Sequence, residues 1–284
     1  MSYLVTGATG NVGGRVADLL AQRGERPRVL ARDAAKARAR FGDTADVAVG
    51  DFGDAAALGR ALAGVRAAFL VTSGAEIPAH DAAFAQAARA AGVPRIVKLS
   101  TLEAGRAGAG AIGQWHAAGE AAVAASGVAH VFVRPVGFMS NALNWTHAVK
   151  TEGVIRASTG DGRTAMIHPD DIAEVAIATL GSSAHDGAAL GITGPAAINY
   201  AEMAAAIGDA IGKPVRFEPI SDDAARERLA RANMPPPLVD ALVGLWRIVR
   251  EGKAATVTDT VARVLGKPAR TFAQWARENA ESFT

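Results

Sequence analysis

The sequence predicts a doubly wound α/β fold, in which helices cover both faces of a parallel sheet, with a smaller and mostly helical C-terminal region. Short apolar runs such as the one at 67–71 alternate with helix-like segments, and turns marked by Gly or Pro join them. After Pro195 the pattern becomes mostly helical, with a break at "MPPPL". We therefore expect one domain at 1–134 plus 170–194, and a smaller region at 135–169 plus 195–284 that covers the strand ends.

Each element follows from a local pattern. "SYLVTG" is typical of a buried strand, and "NVGGRVADLLAQRG" of a helix closed by Gly24. Further strands are predicted at "RPRVLAR", "ADVAVGD", "RAAFLVTS", "PRIVKLS" and "AHVFVRP", and "PVRFEPI" is typical of a short strand. A strand at "AALGITG" extends the sheet. The predicted helices lie at 34–40, 54–63, 78–91, 113–125 and 170–180.

Composition excludes several classes of function. The 284 residues contain no cysteine, which excludes thiol catalysis, disulfides, iron–sulfur clusters and cysteine-zinc sites. The net charge of +2 is scattered rather than clustered, which argues against nucleic-acid binding. No apolar run is long enough to span a membrane, and no secretory signal is expected, so we predict a cytoplasmic protein. The oligomeric state stays open, with a homodimer as one alternative.

A glycine-rich turn is the strongest functional signal. In "VTGATGNVGG", Gly7, Gly10 and Gly13 are spaced three apart between a strand and a helix. Such a turn lets the backbone approach a pyrophosphate, while the helix N-terminus supplies free N–H groups. The alternative is a purely structural turn, but its position between strand and helix favours a dinucleotide. The predicted contacts are Gly7, Thr9, Gly10, Asn11, Val12 and Gly13.

The end of the second strand bears on which dinucleotide binds. An acid there would accept a hydrogen bond from the ribose 2′-hydroxyl of NAD, whereas an arginine would neutralise the 2′-phosphate of NADP. "LARDAAKAR" has Arg32 at this place and Lys36 one helical turn later. Asp33 could still favour NAD, and both cations could be ordinary solvated charges. We prefer NADP(H) over NAD(H).

Three motifs together resemble one family. The TGxxGxxG turn, "GDFGD" after the third strand and "VRPVGFMSN" after the sixth are similar to those of NmrA-like, atypical short-chain dehydrogenases/reductases, and the similarity extends along almost the whole chain. The chain most resembles the bacterial branch of NAD(P)H-dependent quinone oxidoreductases, azoreductases and triphenylmethane-dye reductases. The resemblance implies a Rossmann-type NAD(P)-binding domain and a substrate-binding role for the smaller region.

The resemblance also implies individual contacts. Asp51 and Phe52 should border the adenine, and Thr72 and Ser73 the cofactor's ribose and phosphates. Ser100 and Thr101 should flank the nicotinamide ribose; the alternative is that they cap the end of a strand, and both roles can hold together. The wall against the nicotinamide is expected from Pro135, Val136, Gly137 and Phe138.

The catalytic pair of the wider superfamily, a tyrosine and a lysine four residues later, is missing. Ile112 and His116 hold those two places in "AIGQWHAAGE". The two tyrosines, Tyr3 in the first strand and Tyr200 at the start of a helix, cannot replace the missing one. Reducing a ketone creates an anion about as basic as hydroxide, whereas reducing a quinone creates a phenolate, and phenols titrate at about 10. The absence therefore favours a conjugated acceptor.

Candidate substrate contacts and the role of His116 complete the prediction. His116 could hydrogen-bond a ribose or substrate oxygen, or could simply pack. A flat, small aromatic or conjugated substrate requires apolar walls, and core packing is the alternative for the aromatic candidates. We predict no metal site. The alternative to a quinone or azo reductase is a non-catalytic NADP(H)-binding redox sensor, and a weaker alternative is a specific reductase of a conjugated biosynthetic intermediate with quinone activity as a by-product. The substrate candidates are Phe138, Met139, Asn141, Trp145 and His168.

Overall fold

A computed structural model describes residues 2–284, which form eleven strands and twelve α-helices. The strands are β1 (Ser2–Val5), β2 (Arg28–Ala31), β3 (Asp46–Val49), β4 (Val65–Leu70), β5 (Arg95–Leu99), β6 (Ala129–Pro135), β7 (Val154–Ala157), β8 (Arg163–Thr164), β9 (Ala189–Ile192), β10 (Ile198–Asn199) and β11 (Arg216–Pro219). The helices are α1 (Asn11–Gln22), α2 (Ala34–Phe41), α3 (Ala55–Leu62), α4 (Ile77–Ala90), α5 (Ala111–Ala125), α6 (Thr146–Glu152), α7 (Pro169–Leu180), α8 (Tyr200–Ile211), α9 (Asp222–Arg231), α10 (Pro236–Arg250), α11 (Thr260–Leu265) and α12 (Phe272–Glu278).

The described chain forms two compact units, the first ending at Pro135 and resuming over Pro169–Gly191. Its sheet has the strand order β3-β2-β1-β4-β5-β6-β9. The pairs between β3 and β6 are all parallel, so their carboxyl ends lie along one edge. Strands such as β4 are buried on both faces, which explains their continuous apolar sequence. The order reverses at β1, where parallel sheets of this kind bind ligands.

The second unit, Val136–His168 with Ile192–Thr284, has its own core. Two small sheets support it, with β7 parallel to β11 and β8 antiparallel to β10. Helices α8 and α12 pack together, and Met203 and Trp275 are fully buried in the apolar cluster between them. Burial of the α12 side chains Phe272, Trp275 and Ala276 follows from its helical spacing of apolar residues.

The predicted doubly wound α/β fold with a helical C-terminal region is confirmed. Gly24 follows α1 with a positive φ of 78°, as expected of a residue that ends a helix. "PVRFEPI" contributes β11, and α7 begins at Pro169. The assignment of cofactor binding to one unit and substrate binding to the other stays a prediction. Over residues 2–284, none of the helices has the length and apolar character that crossing a membrane requires.

Candidate functional site

The glycine turn joins β1 to α1. Gly7 has a φ of +60°, a conformation that favours glycine, and its carbonyl accepts a hydrogen bond from the Gly10 N–H at 2.9 Å. A Cβ on Gly13 would lie 2.4 Å from the Gly7 carbonyl oxygen, so the first turn of α1 can pack against β1 only because this residue has no side chain. Two of the three glycines are therefore required by the local backbone itself.

The same turn fits an anionic group. Gly10 is the N-cap of α1, and no side chain at this position caps the helix. Thr9, Gly10 and Asn11 are exposed, whereas Val12 and Gly13 are buried under the turn. A helix N-terminus approached by a backbone without side chains is a suitable cradle for a pyrophosphate.

The adjacent ends of β2 and β3 carry the groups predicted to face the adenosine. Arg32 and Lys36 are exposed, and neither side chain forms an ion pair anywhere in residues 2–284. Asp33 instead caps α2, its Oδ1 accepting from the Lys36 N–H at 2.9 Å. Asp51 Oδ1 similarly accepts from the Gly53 N–H at 2.8 Å. Phe52 stacks on His80 with ring centroids 5.0 Å apart.

Two hydroxyl groups at the carboxyl ends of β4 and β5 donate to buried carboxylates. Thr72 Oγ1 donates to Asp81 Oδ1 at 2.8 Å, and Ser100 Oγ donates to Glu120 Oε1. Each hydroxyl proton is thus engaged, and both residues are buried. The next residues, Ser73 and Thr101, are more exposed than the hydroxyl residues that they follow.

Both carboxylates are paired with a cation from the sheet. Arg134 of β6 donates twice to Glu120 of α5, its Nε lying 2.9 Å from Oε1. Lys98 Nζ of β5 lies 2.8 Å from Asp81 Oδ2 of α4, and neither side chain of this pair is exposed. Burial lowers the pKa of Lys98, and the attraction of Asp81 opposes this shift. The pairs compensate charges that would otherwise be costly to bury.

His116 lies beside the lysine of this network. Its Nδ1 is 3.5 Å from Lys98 Nζ, and the histidine is partly buried on α5. Burial, reinforced by the neighbouring Lys98 cation, lowers the pKa of His116 to about 3. The imidazole is therefore neutral at physiological pH, and in that state it can donate a hydrogen bond from one nitrogen only.

Gly119, also in the "GQWHAAGE" segment, makes room for the network. A Cβ at this position would lie 2.0 Å from Asp81 Oδ2, closer than nonbonded atoms approach each other. The carboxylate of α4 thus occupies the space where α5 lacks a side chain. This segment supplies His116, the gap over Asp81 and the Glu120 carboxylate.

The predicted substrate candidates all lie in the second unit, where hydrogen bonds fix the loop after β6. The Met139 N–H donates to the Ile167 carbonyl, and the Ile167 N–H to the Gly137 carbonyl, both at 2.9 Å. Phe138 is half-buried, and Asn141 is exposed. Met139 is 1 % exposed within the apolar core, so its side chain offers a ligand almost no surface in this arrangement. A role in substrate binding stays a prediction for these residues.

Trp145 and His168 have partners within the second unit. Trp145 packs at 5.1 Å from the ring of Tyr200, which is the arrangement of a half-buried core residue. His168 is almost fully buried, and its Nε2 lies 2.9 Å from Glu278 Oε2. No sequence pattern indicated this histidine–carboxylate pair, because 110 residues separate His168 from Glu278 along the chain.

The two strand-end segments predicted beside the nicotinamide are ordered by the backbone. Pro135 ends β6, and its carbonyl accepts from the Leu102 N–H at 2.8 Å. Val136 donates its N–H to the Ile192 carbonyl at 3.3 Å. These contacts hold the wall residues independently of any ligand. Contact with a cofactor stays a prediction for every residue assigned to it.

Sequence reasoning missed the buried charge network. The sequence patterns did not single out Asp81, Lys98, Glu120 or Arg134. One signal was available, because "PRIVKLS" places a lysine inside a strand expected to be buried on both faces. A buried ammonium group requires a partner. The identity of that partner depended on how α4 packs over β5.

The matching family and the similar proteins are NAD(P)H-binding proteins or reductases. The NAD(P)H-binding family matches residues 7–183. A (4-alkanoyl-5-oxo-2,5-dihydrofuran-3-yl)methyl phosphate reductase of Streptomyces griseus is 43 % identical over 99 % of this chain and 98 % of its own. An NAD(P)H azoreductase of Xenophilus azovorans is 36 % identical over 99 % and 98 %. The NADPH-dependent quinone oxidoreductase of Escherichia coli, solved with NADPH, superimposes with a TM-score of 0.87 at 27 % identity, covering 97 % of this chain and 99 % of that one.

Proposed function

The chain belongs to the NAD(P)H-binding family, in its NmrA-like branch, and we propose that it is an NADPH-dependent reductase of conjugated acceptors such as quinones and azo compounds. It is an NAD(P)H-dependent oxidoreductase: the azoreductase and the quinone oxidoreductase are named as such, and the Streptomyces griseus relative is named a reductase. The finer assignment depends on one observation. The place of the proton-donating tyrosine is filled by Ile112, and the structure offers no other phenol in the first unit than Tyr3, whose ring lies against Arg66.

The second tyrosine is equally unsuited to donate a proton. Tyr200 is buried in the core of the second unit, and burial raises the pKa of its hydroxyl. A group that is both inaccessible and less acidic than usual is a poor general acid. The chain therefore lacks the phenol that stabilises an alkoxide in alcohol and ketone chemistry.

A conjugated acceptor removes the need for that acid. When bound, reduced nicotinamide supplies two electrons and a proton as hydride, and the acceptor gains its second proton from water. The acceptor anion is weakly basic because its charge spreads through a ring, so protonation can follow the transfer. The chain's own task is to hold the acceptor in place and exclude competing water, which can supply much of the rate acceleration.

NADPH is the proposed cofactor because of Arg32, Lys36 and Asp33. The two cations are exposed and carry no internal ion pair, whereas the Asp33 carboxylate already caps α2. Replacing Arg32 by Ala should raise the Kd of NADPH by roughly tenfold, as expected for loss of one charge-assisted contact, and leave the Kd of NADH almost unchanged. Fluorescence titration with both nucleotides measures this. Equal weakening of the two would refute the 2′-phosphate assignment.

The matched control for Arg32 is Arg23, a solvent-exposed arginine at the C-terminal end of α1. Arg23→Ala removes the same charge from the same unit at the opposite end of a helix from the glycine turn. Its NADPH titration should match that of the wild type. A loss equal to that of Arg32→Ala would indicate a general effect of net charge.

Oxidation of NADPH with an acceptor panel tests the proposed activity. The panel contains a quinone, an azo dye, a triphenylmethane dye and a plain ketone, with NADH in parallel. We expect turnover of the conjugated acceptors and none of the ketone. Turnover of the ketone would show that the missing tyrosine is dispensable for alkoxide chemistry. Tight binding of NADP and NADPH without any turnover would replace the reductase by a redox sensor.

A second candidate substrate class is supported by the relative from Streptomyces griseus, which is 43 % identical along almost the entire chain. The substrate in its name carries a ring double bond conjugated with two carbonyl groups, so hydride addition would again give a delocalised anion. We propose such doubly activated alkenes as the alternative acceptor. The panel should therefore include one such alkene that carries a phosphate ester and one that does not. Comparing their kcat/KM with that of the quinone and the azo dye shows which class of acceptor is preferred.

A further inference from the structure

Three possible acceptor atoms lie around the Lys98 ammonium group. An ammonium group has three N–H donors and no acceptor. Nζ lies 2.8 Å from Asp81 Oδ2, 3.3 Å from the Leu99 carbonyl oxygen and 3.5 Å from His116 Nδ1. The contact with Asp81 Oδ2 is an ion pair without hydrogen-bond geometry, and the imidazole faces the ammonium group with its Nδ1.

The side of His116 that faces Lys98 determines its tautomer. A neutral imidazole carries hydrogen on one nitrogen and a lone pair on the other. An N–H at Nδ1 would point toward the ammonium and be repelled, whereas the Nδ1 lone pair is attracted. The hydrogen is then on Nε2, which has no hydrogen-bond partner among residues 2–284.

From this geometry we infer that Lys98 is a positioning residue, held by Asp81, which fixes His116 as the tautomer that presents Nε2–H as a hydrogen-bond donor to an oxygen of bound cofactor or substrate. Neutral imidazole is an effective donor to a developing oxyanion. His116 thereby partly replaces the missing tyrosine as a donor but does not transfer a proton. This use of the donor rests on the proposed reductase function, while the tautomer itself does not.

Asp81 links the contact between Lys98 and His116 to Thr72, which lies at the predicted cofactor-binding edge of the sheet. Its Oδ1 accepts from Thr72, its Oδ2 pairs with Lys98, and Gly119 leaves the space that the carboxylate occupies. Thr72 and His116 are thus joined by one chain of contacts. The charged group that faces the imidazole is Lys98 from β5, which pairs with Asp81 from α4; Glu120 on the histidine's own helix is paired with Arg134 from β6.

The first test measures the tautomer by long-range ¹H–¹⁵N NMR of the full-length protein labelled in histidine, with His116→Gln used for assignment. We expect an unprotonated Nδ1, a protonated Nε2 and no titration of His116 between pH 5 and 8. Hydrogen on Nδ1 in the wild type would overturn the inference. Because no acceptor is present, this result is independent of the proposed activity.

The perturbation is Lys98→Met combined with Asp81→Leu, which removes both buried charges together. Replacing a buried ion pair by apolar residues of similar size is commonly tolerated, whereas removing one partner is not. We expect the tautomers of His116 to mix, and its pKa to rise because one of its two lowering causes is gone. An unchanged Nε2–H tautomer in this variant would show that Lys98 does not set it.

A matched control removes another ion pair from the same strand. Arg95 of β5 pairs with Asp186 at 2.5 Å, and neither residue is a partner of His116. Arg95→Met with Asp186→Leu should leave the His116 signals unchanged. A change equal to that in the Lys98 variant would mean that any lost charge pair on β5 disturbs the imidazole.

Kinetics then test whether the donor is used. With an acceptor that the wild type reduces, His116→Leu should lower kcat by roughly tenfold, the effect of one lost hydrogen bond, and His116→Gln, which keeps an N–H, should lose much less. Equal losses would refute the donor role. If no acceptor is reduced, the proposed function fails while the NMR result still decides the tautomer.

Discussion

Substituting Gly119 by Ala is the sharpest perturbation that the structure offers. The new Cβ would lie 2.0 Å from Asp81 Oδ2 and 2.9 Å from Ile77 Cγ2. The crowded oxygen is the one that pairs with Lys98 Nζ at 2.8 Å, so we expect the carboxylate to lengthen this contact when it moves clear of the methyl group. One added methyl group thus both overpacks the contact between α4 and α5 and separates a buried ion pair.

The magnitude follows from these two effects. Overpacking a core costs ~1–3 kcal/mol, and leaving one member of a buried pair uncompensated costs ~3–5 kcal/mol. Partial relaxation makes the two less than additive, so we expect the free energy of unfolding to fall by about 2–5 kcal/mol. That is a large share of the ~5–15 kcal/mol that keeps a domain folded.

The matched control is Gly59→Ala in α3. Gly59 is helical and exposed, and a Cβ there meets nothing within 4 Å. The same chemical change should stabilise the protein by about 0.5–1 kcal/mol, because glycine is a poor helix former. Urea unfolding of both variants measures the difference. If Gly119→Ala matched Gly59→Ala within error, the packing argument would be refuted.

A background without the ion pair separates the two causes. In Lys98→Met with Asp81→Ala the carboxylate is gone, so adding Gly119→Ala should cost only the remaining contact with Ile77. The expected cost is about 1 kcal/mol, the lower end of overpacking. If Gly119→Ala lowered the free energy of unfolding as much in this background as in the wild type, the destabilisation would come from the contact between α4 and α5 rather than from Asp81.

Two further predictions concern the glycine turn and the second unit. Gly13→Ala should abolish NADPH binding, because the new Cβ would lie 2.4 Å from the Gly7 carbonyl oxygen. Gly10→Asp should abolish it too, because it places a carboxylate against the pyrophosphate. Titrations of NADPH that are unchanged in these variants would refute the assigned turn. The bidentate Arg250 guanidinium lowers the pKa of Asp222 to about 2, so this carboxylate stabilises the fold above its unfolded pKa of about 3.9 and loses that effect as the pH falls toward 2. Urea midpoints of wild type and Asp222→Asn should therefore converge in acid, and a gap that stays constant from pH 6 to 2 would contradict the assignment.

Periodicity and turn chemistry carried most of the fold prediction, because both are local. Gly13 could be predicted from its spacing, since a strand-to-helix turn of this kind has only one way to pack. His116 could be located by counting from the missing lysine. Its neutral state could not, because the pKa depends on burial and on Lys98, which lies 18 residues earlier in the chain.

The charge network shows the limit of a one-dimensional pattern more clearly. Lys98 stands out in its strand, but its partner Asp81 resembles any polar residue of a surface helix until α4 is packed on β5. Gly119 likewise looks like a weak helix residue. Only the three-dimensional contact explains why a glycine is placed there.

The buried pair of Lys98 and the partly buried pair of Arg134 each join a strand to a helix that lies over the sheet, Lys98 of β5 to α4 and Arg134 of β6 to α5. A buried pair of this kind tolerates loss of both members better than loss of one. Sequence change at these positions should therefore proceed in coupled steps. Among related chains, a neutral residue at position 98 should accompany a neutral residue at position 81, and chains that keep Asp81 should keep a small residue at position 119.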